Sequence, residues 1–254
     1  MIARIATLAY GLTAYTLFFG TFLYLIAFVV GLPQVPFTLD GAPVTSTGLA
    51  LAIDVALVAL FGIQHAIMAR PAFKRRWTKL VPASIERSTF MVATCVCLAL
   101  IFTQWRALPG TVWSVENQAL AIGLWSLNGL GWGMVLLSTF LIDHFDLFGL
   151  RQTWLAFRGR QYTAPRYVER SLYRVVRHPL MLGMLIAFWA TPVMSVSHLM
   201  FSLTFTGYVL IGTRIEERTL VELHGEDYRD YARRVPGLVP FAKPRGARSV
   251  QPAA

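Results

Sequence analysis

Three clusters of ionisable residues stand in an otherwise apolar chain, and each has side chains able to bind a charged group or move a proton. The densest runs Tyr173-Arg174-Val175-Val176-Arg177-His178-Pro179-Leu180-Met181-Leu182-Gly183. Pro179 marks a helix start, since its missing N–H costs nothing in a first turn. Arg177 and His178 then stand at the positive end of that helix, a setting for a carboxylate, a phosphate or a lipid head group. The second cluster is Arg214-Ile215-Glu216-Glu217-Arg218, in which Arg214 lies within one helical turn of Glu217 and Arg218. The third is Asp143-His144-Phe145-Asp146. Asp143 beside His144 is the pairing by which a carboxylate orients and charges an imidazole to act as a general base. Either Asp143 or Asp146 also suits a helix N-cap. Apart from these, Asp54 and His65 are eleven residues apart, about three helical turns, so they share a face with Val58 and Phe61, with Gln64 adjacent. That face either fastens a helix to its neighbour or gives a buried site a polar lining.

The elements that must position these residues are membrane helices. Of 254 residues, 56% are hydrophobic and 14% charged, against about a quarter charged in a soluble domain. Apolar runs long enough to cross a hydrocarbon core of about 30 Å occupy 6–31, 47–68, 88–105 and 117–142, followed by a hairpin with arms 180–192 and 197–213. The first run is too long for a removable signal peptide and lacks the small-residue cleavage site. The fold class is therefore all-α: a polytopic membrane bundle of four spans plus a C-terminal helical hairpin and cytoplasmic amphipathic helices.

Charge sorts the loops. Loop 32–46 carries only Asp40, and the loop after Trp105 balances Arg106 against Glu116. By contrast, Arg70, Lys74, Arg75, Arg76, Lys79 and Arg87 follow the second span, and Arg151, Arg158, Arg160, Arg166, Arg170, Arg174 and Arg177 follow the fourth. Cytoplasmic loops collect Lys and Arg, so both termini are placed in the cytoplasm. The net charge of +10 follows from this asymmetry and from contact with anionic membrane lipids. Nucleic acid is excluded as a partner, because it would need a basic soluble face. Cys95 and Cys97 lie mid-span on different helix faces, so neither a disulfide nor a metal site is expected. The pattern specifies no oligomeric state.

The hairpin has a geometric consequence. A short turn joins its arms, so Arg177-His178 and Arg214-Glu216-Glu217 must meet at the cytoplasmic side in one pocket of mixed charge. A zwitterionic ligand with a ribose suits such a pocket, and S-adenosylmethionine has these groups. Leu220, Leu223, Tyr228 and Tyr231 continue as a short amphipathic helix interrupted at Gly225, a form that lies on a membrane surface.

Arg177-His178-Pro179, Gly183, Arg214, Glu216, Glu217, Gly225, Tyr228, Tyr231, Val235-Pro236 and Pro240 together resemble the isoprenylcysteine carboxyl methyltransferase superfamily. Within it, further segments resemble the bacterial methanethiol S-methyltransferases over nearly the whole chain. These are Gln64-His65, Met68-Ala69-Arg70-Pro71-Ala72-Phe73-Lys74, Glu86-Arg87-Ser88-Thr89, Asp143-His144-Phe145-Asp146-Leu147-Phe148-Gly149-Leu150-Arg151-Gln152 and Phe188-Trp189-Ala190-Thr191-Pro192. The resemblance implies methyl transfer from S-adenosylmethionine to methanethiol, giving dimethyl sulfide. Met181 stands where many superfamily members have Tyr, and its thioether fills similar space. The expected donor site is Arg177, His178, Pro179, Gly183, Arg214, Glu216 and Glu217. The expected catalytic groups are Asp143 with His144, and His65. Three functional parts follow: 1–176 as the acceptor side, 177–240 as the donor side and 241–254 as a disordered tail. Two rival readings stay open: a methyltransferase for a larger lipidic thiol or amine, and a carrier of haem or an ion through His65, His144 and Asp54.

Overall fold

The computed structural model describes residues 1–164 and 169–242. Arg166 of the basic segment and residues 243–254 of the expected disordered tail lie outside the described residues. Helix α1 (Ile2–Val30) is followed by α2 (Thr47–Ala69), the short α3 (Pro71–Trp77), α4 (Glu86–Gln104), strand β1 (Thr111–Ser114) and α5 (Gln118–Ile142). Then come α6 (His144–Leu147), α7 (Leu150–Phe157), a 3-10 turn (Ser171–Arg174), α8 (Pro179–Trp189), β2 (Val193–Ser195), α9 (Val196–His224) and α10 (Glu226–Arg234). Helices α1, α2, α4, α5 and α9 are each long and apolar enough to cross a membrane, and α8 is a shorter apolar helix. The protein is an all-α polytopic membrane bundle, and the four expected spans and the hairpin are all present.

One boundary differs from expectation. The second hairpin arm does not end near Thr213; α9 runs unbroken to His224 and stops at Gly225. Gly225 has a φ of 58°, which a residue without Cβ adopts freely, so the chain turns there into α10. The apolar face of α10 is covered by the protein itself. Tyr228, Tyr231, Ala232 and Val235 are buried against Leu220 and Val221 of α9.

Both ends of the bundle are held together. At one end β1 pairs antiparallel with β2, and Val44 bridges Ala107. The fully buried Asp54 carboxylate accepts the backbone N–H of Arg106 at 2.9 Å. These are the loops poor in basic residues. The arginine-rich segments occupy the other end with the ends of both hairpin arms, so the charge asymmetry coincides with the two ends of the fold.

Between the ends, an aromatic core of Phe28, Phe61, Phe102, Trp105, Trp132, Phe188, Phe201 and Phe205 fills the bundle. Helix α8 lies directly on α5. A Cβ at Gly183 would stand 2.7 Å from the Gly131 carbonyl oxygen, and one at Gly131 would stand 2.6 Å from the Ala187 nitrogen. Small residues permit such backbone contact between membrane helices, and the Asn128 side chain adds a 2.7 Å hydrogen bond to the Ala187 carbonyl. The outward faces stay apolar, as at Ile63 (59% exposed) and Ile211 (60%), which is the surface a helix presents to lipid.

Candidate functional site

Pro179 opens α8 as expected, so Arg177 and His178 sit at the mouth of the hairpin opposite α9. Glu217 is the hub there. Its Oε1 accepts from Arg177 Nε at 2.8 Å and Nη2 at 2.5 Å, and lies 3.0 Å from His178 Nε2. The other ring nitrogen of His178 faces Glu216 at 3.5 Å. The first turn of α8 is further held by a strap after α10. Arg177 Nη1 donates to the carbonyls of Ala232 (3.1 Å) and Val235 (2.6 Å), and the backbone N–H groups of Arg177 and His178 donate to Pro236 and Gly237. Tyr231 adds a hydrogen bond to the Tyr173 carbonyl at 2.6 Å.

This geometry divides the donor-site expectation. Arg177 has its guanidinium fully engaged and is nearly buried (8% of the side chain exposed), so it clamps the strap and Glu217 in place. Glu216 is half-exposed and meets His178 through Oε2 alone, and Arg214 is exposed and without an ion-pair partner among the described residues. Gly183 makes room for α5, as described above. The N–H groups ahead of Pro179 are taken by the strap and are not an open anion cradle. The pocket of mixed charge is nonetheless present: the half-exposed Glu216 carboxylate, the exposed Arg214 guanidinium one turn before Glu217, and the edge of His178.

His178 itself is a cation at neutral pH. Burial alone would lower its pKa, but hydrogen bonds and charge from Glu216 and Glu217 outweigh this and raise it to about 9. Its folded pKa thus lies above the ordinary value of about 6.5. The stability it contributes is complete below that value and is lost as pH rises through about 9. Thermal melts in detergent are expected to lose on the order of 3 kcal/mol between pH 7 and 10 through this group. His178→Gln should flatten that part of the profile; an unchanged profile would show that another group causes it.

The third cluster is arranged differently from expectation. Asp143 does not orient His144: its Oδ1 accepts the backbone N–H of Asp146 at 3.1 Å, capping α6. Asp146 is buried and pairs with Arg151 at 2.9 Å and Tyr162 at 3.1 Å. His144 is 3% exposed and stacks on Phe140, with ring centroids 4.1 Å apart. Its partners fix its tautomer. Thr139 has one hydroxyl proton, given to the Leu136 carbonyl at 2.6 Å, so it accepts from His144 Nδ1–H at 2.7 Å. His144 Nε2 then accepts from the Tyr15 hydroxyl at 2.8 Å. Burial lowers the His144 pKa, and the charge of Asp143 opposes this only in part. Both ring nitrogens are occupied, which leaves His144 no lone pair for a substrate proton or for a metal.

His65 presents the opposite case. Thr94 gives its hydroxyl proton to the Phe90 carbonyl at 3.0 Å, so His65 Nδ1–H donates to Thr94 across 3.4 Å. Its Nε2 has no partner among the described residues, and the ring is lined by Phe61 (5.5 Å), Phe90 (4.8 Å) and Tyr208 (6.3 Å). Tyr208 lies on α9 about two turns before Glu216, so this aromatic chamber and the mixed-charge pocket share one helix. Asp54 shares the inward face with His65 but not its surroundings, since it serves the opposite end of the bundle. Gln64 donates to the Met68 sulfur at 3.1 Å.

Comparison with known proteins places the chain in a family. Residues 67–235 match a family described as "Protein of unknown function (DUF1295)". The chain is 47% identical over 238 residues to a methanethiol S-methyltransferase of Mycobacterium tuberculosis, covering 94% of this chain and 97% of that one. The chain belongs to the methanethiol S-methyltransferase family. A second member, methanethiol S-methyltransferase 2 of Bradyrhizobium diazoefficiens, is 47% identical over 250 residues, covering 96% of this chain and 95% of its own. Beyond the family the likeness is weaker: Nurim of Rattus norvegicus is 26% identical over 187 residues, 70% of each chain. No solved structure matches.

Four residues that sequence reasoning did not single out serve the two histidines of this family member: Tyr15, Thr94, Thr139 and Tyr208. Thr139, five residues before His144, and Tyr208, about two turns before Glu216, were within reach of helical spacing. Tyr15 was not, because 129 residues separate it from its partner.

Proposed function

We propose that the protein transfers a methyl group from S-adenosylmethionine to methanethiol, giving dimethyl sulfide, from the basic, cytoplasmic end of the bundle in the bacterial inner membrane. The observation that carries this reading is the adjacency of a mixed-charge pocket to an aromatic chamber containing an imidazole with a free lone pair, in a chain of this family.

The free groups fit the donor. Glu216 is placed to accept from ribose hydroxyls or the ammonium group, and Arg214 to pair with the carboxylate. S-adenosylmethionine supplies an electrophilic methyl group on a sulfonium. Arg177, Glu217 and the strap hold the pocket's shape, and Pro179 with Gly183 seats α8 against α5. A thiol has a pKa of about 8.5 or higher, so the acceptor needs a base near neutral pH. His65 fills that role better than His144: Nε2 takes the thiol proton, the sulfur bonds to the methyl carbon as the sulfonium C–S bond breaks, and the proton is later lost to water. Asp143 and His144 hold the cytoplasmic end of α5 in place. In this reading 1–176 supplies the acceptor's base and 177–240 the donor site, with Tyr208 of the second part completing the chamber.

Purified protein in lipid nanodiscs, given methanethiol and S-adenosylmethionine, is expected to release dimethyl sulfide measurable by headspace gas chromatography. Donor binding with no sulfide formed from methanethiol would overturn the choice of acceptor.

A further inference from the structure

One side chain, Tyr208, packs in the seam between α2 and α9 beside His65. Tyr208 packs its ring so closely on α2 that a Cβ added at Gly62 would stand 3.1 Å from Tyr208 Cδ2. The same ring meets Phe61 at 5.2 Å and His65 at 6.3 Å, both edge-on, and Phe205 at 6.1 Å. Ile63 and Ile211, on the outward faces of the same two helices, are 59% and 60% exposed. An apolar acceptor dissolved in the bilayer therefore meets lipid-facing residues first, then the Tyr208 ring, then His65 Nε2.

We propose that Tyr208 determines acceptor size, limiting the thiol to a single carbon by occupying the space a longer alkyl chain would need. This rests on the reading that the acceptor meets His65. The physical basis is that close-packed interiors do not yield to extra methylenes. Phe61 of α2 and Phe90 of α4 pack on the His65 ring, and Tyr208 closes on it from α9. Truncating it removes a phenol ring and opens room of the kind in which an apolar cavity of about 150 Å³ takes up a benzene-sized guest. The same ring narrows the α2–α9 seam at Gly62 against a longer acceptor.

The test is a competition between methanethiol, ethanethiol and 1-propanethiol in nanodiscs, with each methyl sulfide quantified by gas chromatography and donor affinity measured in parallel. The unmodified protein is expected to discriminate against each added methylene by roughly tenfold or more. Tyr208→Ala should shrink or invert the methanethiol-to-ethanethiol ratio by at least about tenfold, while Tyr208→Phe, which keeps the ring, should preserve it within about twofold. A Tyr208→Ala protein that binds donor normally and keeps the original ratio overturns the proposal. If that variant does not fold, Tyr208→Leu decides by the same ratio. His65→Gln separates the two layers: full turnover in His65→Gln removes the acceptor reading itself, whereas lost turnover with an unchanged Tyr208→Ala ratio removes only the size gate.

Discussion

Glu217→Ala is expected to lower the melting temperature in detergent by about 10 °C and to weaken donor binding by at least about a hundredfold. Its Oε1 is the common acceptor for Arg177 and His178. Removing it leaves a guanidinium with 8% of its side chain exposed facing two carbonyls, and an imidazolium facing only Glu216. Breaking a buried pair by deleting one partner costs about 3–5 kcal/mol, because the remaining charge is stranded. For a domain of this size each kcal/mol is worth about 2–4 °C. The damage reaches the donor site because the same carboxylate ties α8, α9 and the strap into one unit. Glu217→Gln, which keeps an acceptor oxygen, should lose roughly half as much. Thermal melts with isothermal titration of the donor measure both effects, and a Glu217→Ala protein with normal stability and affinity would remove the hub role.

The second large effect belongs to His65. His65→Ala is expected to lower single-turnover methyl transfer near neutral pH by roughly 10² to 10⁴, the usual range for a lost general base. Donor affinity should change by less than about threefold, because the polar contacts proposed for the donor come from α8 and α9. The pH dependence separates a base from a structural histidine. As pH approaches the thiol's own pKa, above about 8.5, more thiolate forms unaided, so the gap between unmodified and variant protein should narrow. His144→Ala should instead lower stability through its lost bonds to Tyr15 and Thr139, with a turnover deficit that does not close at high pH. If His144→Ala closes with pH and His65→Ala does not, the base is His144.

The elements were legible in the sequence wherever hydrophobicity set them. The uninterrupted apolar runs gave each span to within a few residues, because covering a hydrocarbon core has no other solution. Pro179 gave the start of α8 through its missing donor. The end of α9 was misread because Arg214-Ile215-Glu216-Glu217-Arg218 looks like a helix leaving the membrane, whereas those charges are paired or exposed on a helix that simply continues. Asp143 caps α6, as one reading of the sequence had it, but its pairing with His144 was misread for a related reason. Adjacency in sequence suggested a pair, but α6 begins between them, so one side chain serves its own backbone and the other turns inward to partners on α1 and α5.

The sequence by itself determined the bundle, its two chemically distinct ends and the meeting of Arg177-His178 with Glu216-Glu217, because lipid solvation and a short hairpin turn leave little freedom. Which of those groups remain free was decided only by tertiary structure. Arg177 is held by partners 40 and more residues away, and His144 by one 5 and one 129 residues away, while the half-exposed Glu216 and His65 Nε2 keep open valences. Sequence gives the donors and acceptors a site can have; packing determines which of them are already used.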